Sequence, residues 1–60
     1  MKEYRLYDSM NGDLICIANN LNTVKAKARK YDILCDGDWL PGLHVSENGG
    51  AFKYVAEWSY

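Results

Sequence analysis

Two Asn-Gly dipeptides, Asn11-Gly12 and Asn48-Gly49, each sit between runs of alternating apolar residues, with one basic segment of helical spacing between them. Asn-Gly is favoured at the centre of a type I′ turn, where both central residues take positive φ and the turn matches the twist of the strands it joins. Two hairpins around one helix follow. The expected fold is α+β in the order β-β-α-β-β, an antiparallel sheet of two hairpins with the helix packed on one face. Sixty residues predict a single small domain over 1–60, in which each large apolar side chain matters because so small a chain buries little surface.

In the first hairpin, Glu3 to Asp8 and Asp13 to Ala18 read as strands by their period of two. With Asn11 and Gly12 as the two turn residues, Met10 faces Asp13, Leu6 faces Ile17 and Tyr7 faces Cys16. Tyr4, Leu6, Ile15 and Ile17 then form the core face. Arg5, Tyr7, Leu14, Cys16 and Ala18 form the opposite one, which is less polar than a solvated face needs to be.

Leu21, Val24, Ala28, Tyr31 and Cys35 recur at gaps of three and four, the stripe by which a helix packs on a sheet. Asn22 is the expected N-terminal cap, Leu21 the apolar residue just before it, and Gly37 the left-handed residue past the C-terminus. The segment from Asp36 to Gly42 reads as a loop punctuated by Gly37, Pro41 and Gly42. Trp39 and Leu40 within it are expected to cap one end of the core, with a contact role for Trp39 as the alternative.

Leu43 to Glu47 and a long run from Ala51 to Trp58 make the second hairpin. A two-residue Asn48-Gly49 turn sets Val45 opposite Phe52 and Leu43 opposite Tyr54, so apolar meets apolar. A three-residue turn including Gly50 sets Ser46 opposite Phe52 and His44 opposite Tyr54, sending the apolar sets to opposite faces. The first register is preferred, and it places Phe52, Tyr54 and Trp58 in the core and His44 on the open face beside Lys53. The order of the strands is left open, though the connection through the helix allows the terminal strands to be neighbours.

No catalytic constellation emerges. His44 is the one histidine, with no nucleophile or orienting carboxylate assigned to it. Asp36-Gly37-Asp38 lacks the further oxygen ligands of a calcium loop. Cys16 and Cys35 have no CxxC spacing and are expected to be reduced, buried thiols, so neither a metal nor a cofactor is indicated. Met1-Lys2-Glu3-Tyr4-Arg5 runs into a strand without the apolar segment of a signal peptide, which predicts a cytoplasmic protein. No run is long enough to span a membrane.

The functional expectation is therefore a non-enzymatic protein-binding module, an accessory or inhibitor that acts as a homodimer. Its candidate contact residues are Tyr7, Leu14, Cys16 and Val55 on the face away from the helix, with Trp39 at the end of the core. The alternative is a nucleic-acid-binding module using Lys25, Lys27, Arg29 and Lys30, four of the seven basic residues. At 100° per residue these surround the outer face of the helix and form no narrow stripe, and a formal charge of -1 gives weak attraction for phosphates. No small-molecule substrate is indicated.

Overall fold

The computed structural model covers residues 1–60. Its elements are β1 (Lys2–Asp8), β2 (Asp13–Ala18), α1 (Leu21–Leu34), β3 (Pro41–Glu47) and β4 (Lys53–Tyr54). The fold is a small α+β arrangement of one four-stranded antiparallel sheet and one helix. The sheet order is β2-β1-β3-β4, so the hairpins meet at β1 and β3, and the terminal strands are not neighbours. Both β2 and β3 run antiparallel to β1. The helix thus links two parallel strands with β1 between them.

The buried apolar core is Leu6, Ala18, Val24, Ala28, Trp39 and Leu43, with Tyr4, Ile15, Cys16, Leu21, Tyr31, Cys35, Val55 and Trp58 packed against it. The whole predicted helical stripe is present in that set. The cap lies two residues earlier than expected: Asn20, extended at φ -142°, accepts from the Thr23 amide at 2.9 Å and from its hydroxyl at 3.0 Å. At the other end Gly37 N–H donates to Asp32 O and Asp36 N–H to Ile33 O, at 2.9 and 3.3 Å. This pair of bonds closes the helix in a Schellman motif. Gly37 is left-handed as expected (φ 73°), but so is Asp36 (φ 53°).

Both hairpin registers differ from expectation. In the first, β1 and β2 are joined by four residues, Ser9 to Gly12, with Asp8 opposite Asp13 and Tyr7 opposite Leu14. Only Gly12 takes positive φ there, whereas a type I′ turn needs two such residues. Asp8 is the cause: its carbonyl accepts from Gly12 N–H at 2.7 Å and its carboxylate from Met10 N–H at 3.0 Å, so Met10 belongs to the loop. A bulge between Leu6 and Tyr7 then shifts the pairing to Leu6–Cys16, Arg5–Ile17 and Tyr4–Ala18. Cys16 and Ala18 thereby join the helix side with Leu6, and Ile17 leaves it.

In the second hairpin the turn itself is as predicted, with Asn48 (φ 52°) and Gly49 (φ 76°) at its centre and Gly50 N–H donating to Glu47 O at 2.9 Å. The Ser46 hydroxyl donates to the Gly50 carbonyl at 2.6 Å, and the ladder resumes one residue out of step, with Val45 opposite Lys53 and His44 opposite Tyr54. Phe52 and Tyr54 consequently face away from the helix. Val55, which donates to Leu43 O at 2.9 Å, packs on the core. The fourth strand is also far shorter than Ala51 to Trp58. Continued pairing would bring it to Gly42 and to Pro41, which has no N–H to give, and the chain instead carries Trp58 and Tyr60 toward Trp39.

Candidate functional site

The sheet face opposite α1 is built from alternate residues of all four strands. Leu14 and Ile17 come from β2, Glu3, Arg5 and Tyr7 from β1, His44 from β3, and Phe52 and Tyr54 from the β4 segment. Three rings cross it in a row. Tyr7 and His44 meet edge to face at 5.6 Å between centroids, and His44 and Tyr54 at 5.7 Å. The Arg5 guanidinium lies 4.4 Å from the centroid of Phe52 and donates through Nε to Glu3 at 3.0 Å. Bonding to Glu3, then to Tyr7, holds Arg5 protonated beyond its ordinary range.

Arg5, Tyr7, Ser9, Gly12, His44 and Phe52 line an open concavity of about 470 Å³ on this face. Gly42 is buried opposite Tyr7, and a Cβ there would collide with the Oγ of Ser9, one of the lining residues. The lining has the aromatic and guanidinium character of a contact surface. His44 Nδ1 is buried without a hydrogen-bond partner, and the ring is held between Tyr7 and Tyr54. Nowhere do three His, Cys, Asp or Glu side chains come together as metal ligands.

Of the residues predicted from sequence, Tyr7 and Leu14 stand on the open face. Cys16 and Val55 do not, because the bulge in β2 and the slip after Gly50 turn both toward the helix. Cys16 and Cys35 are free thiols, but only partly buried where burial was expected, and burial pushes the Cys16 thiol up, with Lys27 opposing. Trp39 is core, 6% exposed, its Nε1 donating to Asp32 Oδ1 at 2.8 Å and its ring set edge-on to Tyr31 at 5.0 Å. Lys27, Arg29 and Lys30 are exposed and Lys25 half-buried on the outer side of α1, and none of the four is ion-paired, the two salt bridges being Lys2–Glu47 and Arg5–Glu3.

Ile17, Phe52, Tyr54 and Arg5 are the face residues that the sequence reading missed as contact residues. The available signal was the run Asn48-Gly49-Gly50, in which a third turn-forming residue makes the slipped register as accessible as the one preferred. No protein family, curated protein or solved structure matches this chain. No helix is long and apolar enough to cross a membrane.

Proposed function

We propose that this chain is a non-enzymatic protein-binding module, an accessory or inhibitor, that acts as a homodimer and meets its target through the open sheet face. One observation carries the reading: Leu14, Ile17, Phe52 and Tyr54 remain 48, 55, 38 and 64% exposed on a single face, beside Tyr7 and His44. Contiguous apolar and aromatic surface of this kind marks a contact site in soluble proteins. Tyrosine and arginine at its centre are side chains from which binding energy is usually drawn, and phenylalanine is enriched in such surfaces.

The same rings suit base stacking in a single strand of nucleic acid, but phosphates would find only Arg5 on this face, and Glu3 already holds it. The helix offers the better nucleic-acid surface, since Lys25, Lys27, Arg29 and Lys30 have no ion-pair partners. That observation supports the second reading, phosphate binding along α1, while the formal charge of -1 weighs against it.

Affinity capture from the source cells separates the two. The wild type is compared with Tyr7→Ala/Tyr54→Ala on the face and with Lys25→Ala/Arg29→Ala on the helix, folding of each being checked by circular dichroism. The proposal expects a protein retained by the wild type and the helix variant and lost from the face variant. Loss only from the helix variant, with nucleic acid in the eluate, would reverse the ranking.

A further inference from the structure

We infer that the free edge of β2 is the seam of self-association: two copies pair β2 against β2, antiparallel, with Leu14 of one opposite Ile17 of the other. This deepens the homodimer part of the proposed function and rests on it. The sheet order leaves two edges, and the protein treats them differently. The β4 edge is two residues long, includes Lys53, and ends where the chain leaves for Trp39. Shortness and a lysine are the usual protections of an edge. The β2 edge has six residues and, after Asp13, no charge, proline or glycine. It exposes Leu14 and Ile17 at 48 and 55%.

The bulge in β2 makes this edge self-complementary. A two-fold axis between Ile15 and Cys16, perpendicular to the sheet, sets residue 14 opposite residue 17, and directly opposed residues must point to one face. In a regular strand positions three apart point to opposite faces, so that pairing is forbidden. Here Ile15 and Cys16 both pack toward the helix, so Leu14 and Ile17, opposite Tyr7 and Arg5, share the open face. The same register sets Asp13 opposite Ala18, and no like charges meet.

The seam is small. A standard interface takes about 800 Å² per partner, about a fifth of the 4173 Å² surface of this chain, and one strand edge with two apolar side chains per copy supplies less. The dimer is therefore expected to dissociate in the micromolar range. It would join the two sheets into one and leave Tyr7, His44, Phe52 and Tyr54 of both copies open to a target.

Sedimentation equilibrium across a concentration series, with the wild type, Ile17→Lys and Tyr54→Lys, tests this. Both substituted positions are more than half exposed, so the variants should fold, and circular dichroism verifies it. Ile17→Lys should weaken the dimer at least about tenfold, because the apolar Leu14–Ile17 pair is lost twice in each seam and a lysine on the edge strand opposes pairing, while Tyr54→Lys leaves it unchanged. Hydrogen exchange of the wild type should show protection of β2 amides that rises with concentration. A dimer lost with Tyr54→Lys and kept with Ile17→Lys overturns the edge seam and retains the dimer. A wild type that stays monomeric to roughly 1 mM overturns the seam and the homodimer together, leaving target binding by the open face to the capture experiment.

Discussion

The phenol of Tyr31 donates to Asp8 Oδ2 at 3.0 Å, across 23 positions of chain, and so ties the last turn of α1 to the end of β1. Asp8 is 3% exposed, and its other oxygen accepts from the amides of Met10 and Leu40 at 3.0 and 3.4 Å. One carboxylate thus joins the first loop, the helix and the entry to β3. Burial raises its pKa, but the two amides and the phenol outweigh that and hold it below the ordinary carboxylate value. A carboxyl depressed in the folded state stabilises above its unfolded pKa and loses that contribution as pH falls through the folded one. Thermal melts should therefore fall as the solution is acidified below about pH 4, and Asp8→Asn should melt lower at neutral pH with a weaker acid dependence.

The partner phenol has the opposite sign. Hydrogen bonding to Asp8, then to Cys35, with burial, pushes Tyr31 up to about 12 from its ordinary 10.0. Its contribution is complete below the unfolded value and disappears as pH rises through the folded one. Tyrosinate absorbance should show one phenol titrating in that high range together with unfolding. Tyr31→Phe should abolish the step.

Core truncations should divide by face. Leu6 and Leu43 are fully buried, and Leu6→Ala or Leu43→Ala should cost about 2 to 5 kcal/mol, enough to unfold so small a domain at ordinary temperature. Phe52 lies on the open face, and Phe52→Ala should cost roughly 1 kcal/mol or less. Urea titration of the three variants reads the difference.

The ends of α1 offer paired substitutions that should differ in effect. Asn20→Ala should cost about 1 kcal/mol, since Asn20 accepts from Thr23 N–H, whereas Asn22→Ala should cost little. Asp36 takes φ 53° at the left-handed position of the C-terminal motif, so Asp36→Gly should stabilise by about 0.5 to 1 kcal/mol, relieving backbone strain and removing an anion from the negative end of the helix. Gly37→Ala should destabilise. Chemical denaturation at neutral pH measures all four.

What could be read from sequence follows from how each signal tolerates error. The helical stripe Val24, Ala28, Tyr31 and Cys35 survives a cap misplaced by two residues, because residues three and four apart share a helix face wherever the helix begins. Strands have no such tolerance. The Asn48-Gly49 turn was legible, yet one residue of slip beyond Gly50 sent Phe52 and Tyr54 to the open face and Val55 to the core. In the first hairpin the period of two makes Asp8 only the last residue of a strand. Its bond from Met10 N–H is a local turn of the kind an aspartate makes two residues on, but its hold on Leu40 and Tyr31 joins segments far apart in the chain, which no local pattern reports.

Trp39 supplies the last test, because its sequence context allowed either core or contact surface. Its indole donates to Asp32 Oδ1, and the Tyr60 hydroxyl donates to the same oxygen at 3.0 Å. Asp32 thus gathers the loop after the helix and the final residues around one acceptor. Asp32→Ala leaves the N–H of a buried indole unsatisfied, which should cost about 1 to 3 kcal/mol. Asp32→Asn keeps an acceptor and should cost less. Trp39→Phe removes the donor along with part of the ring and should restore much of the stability lost in Asp32→Ala when the two are combined, since no orphaned donor remains. Equilibrium unfolding of this double-mutant cycle, followed by far-ultraviolet circular dichroism, should show a coupling of at least about 0.5 kcal/mol. Strict additivity would mean that the indole is not held by Asp32 and that packing alone fixes Trp39 in the core.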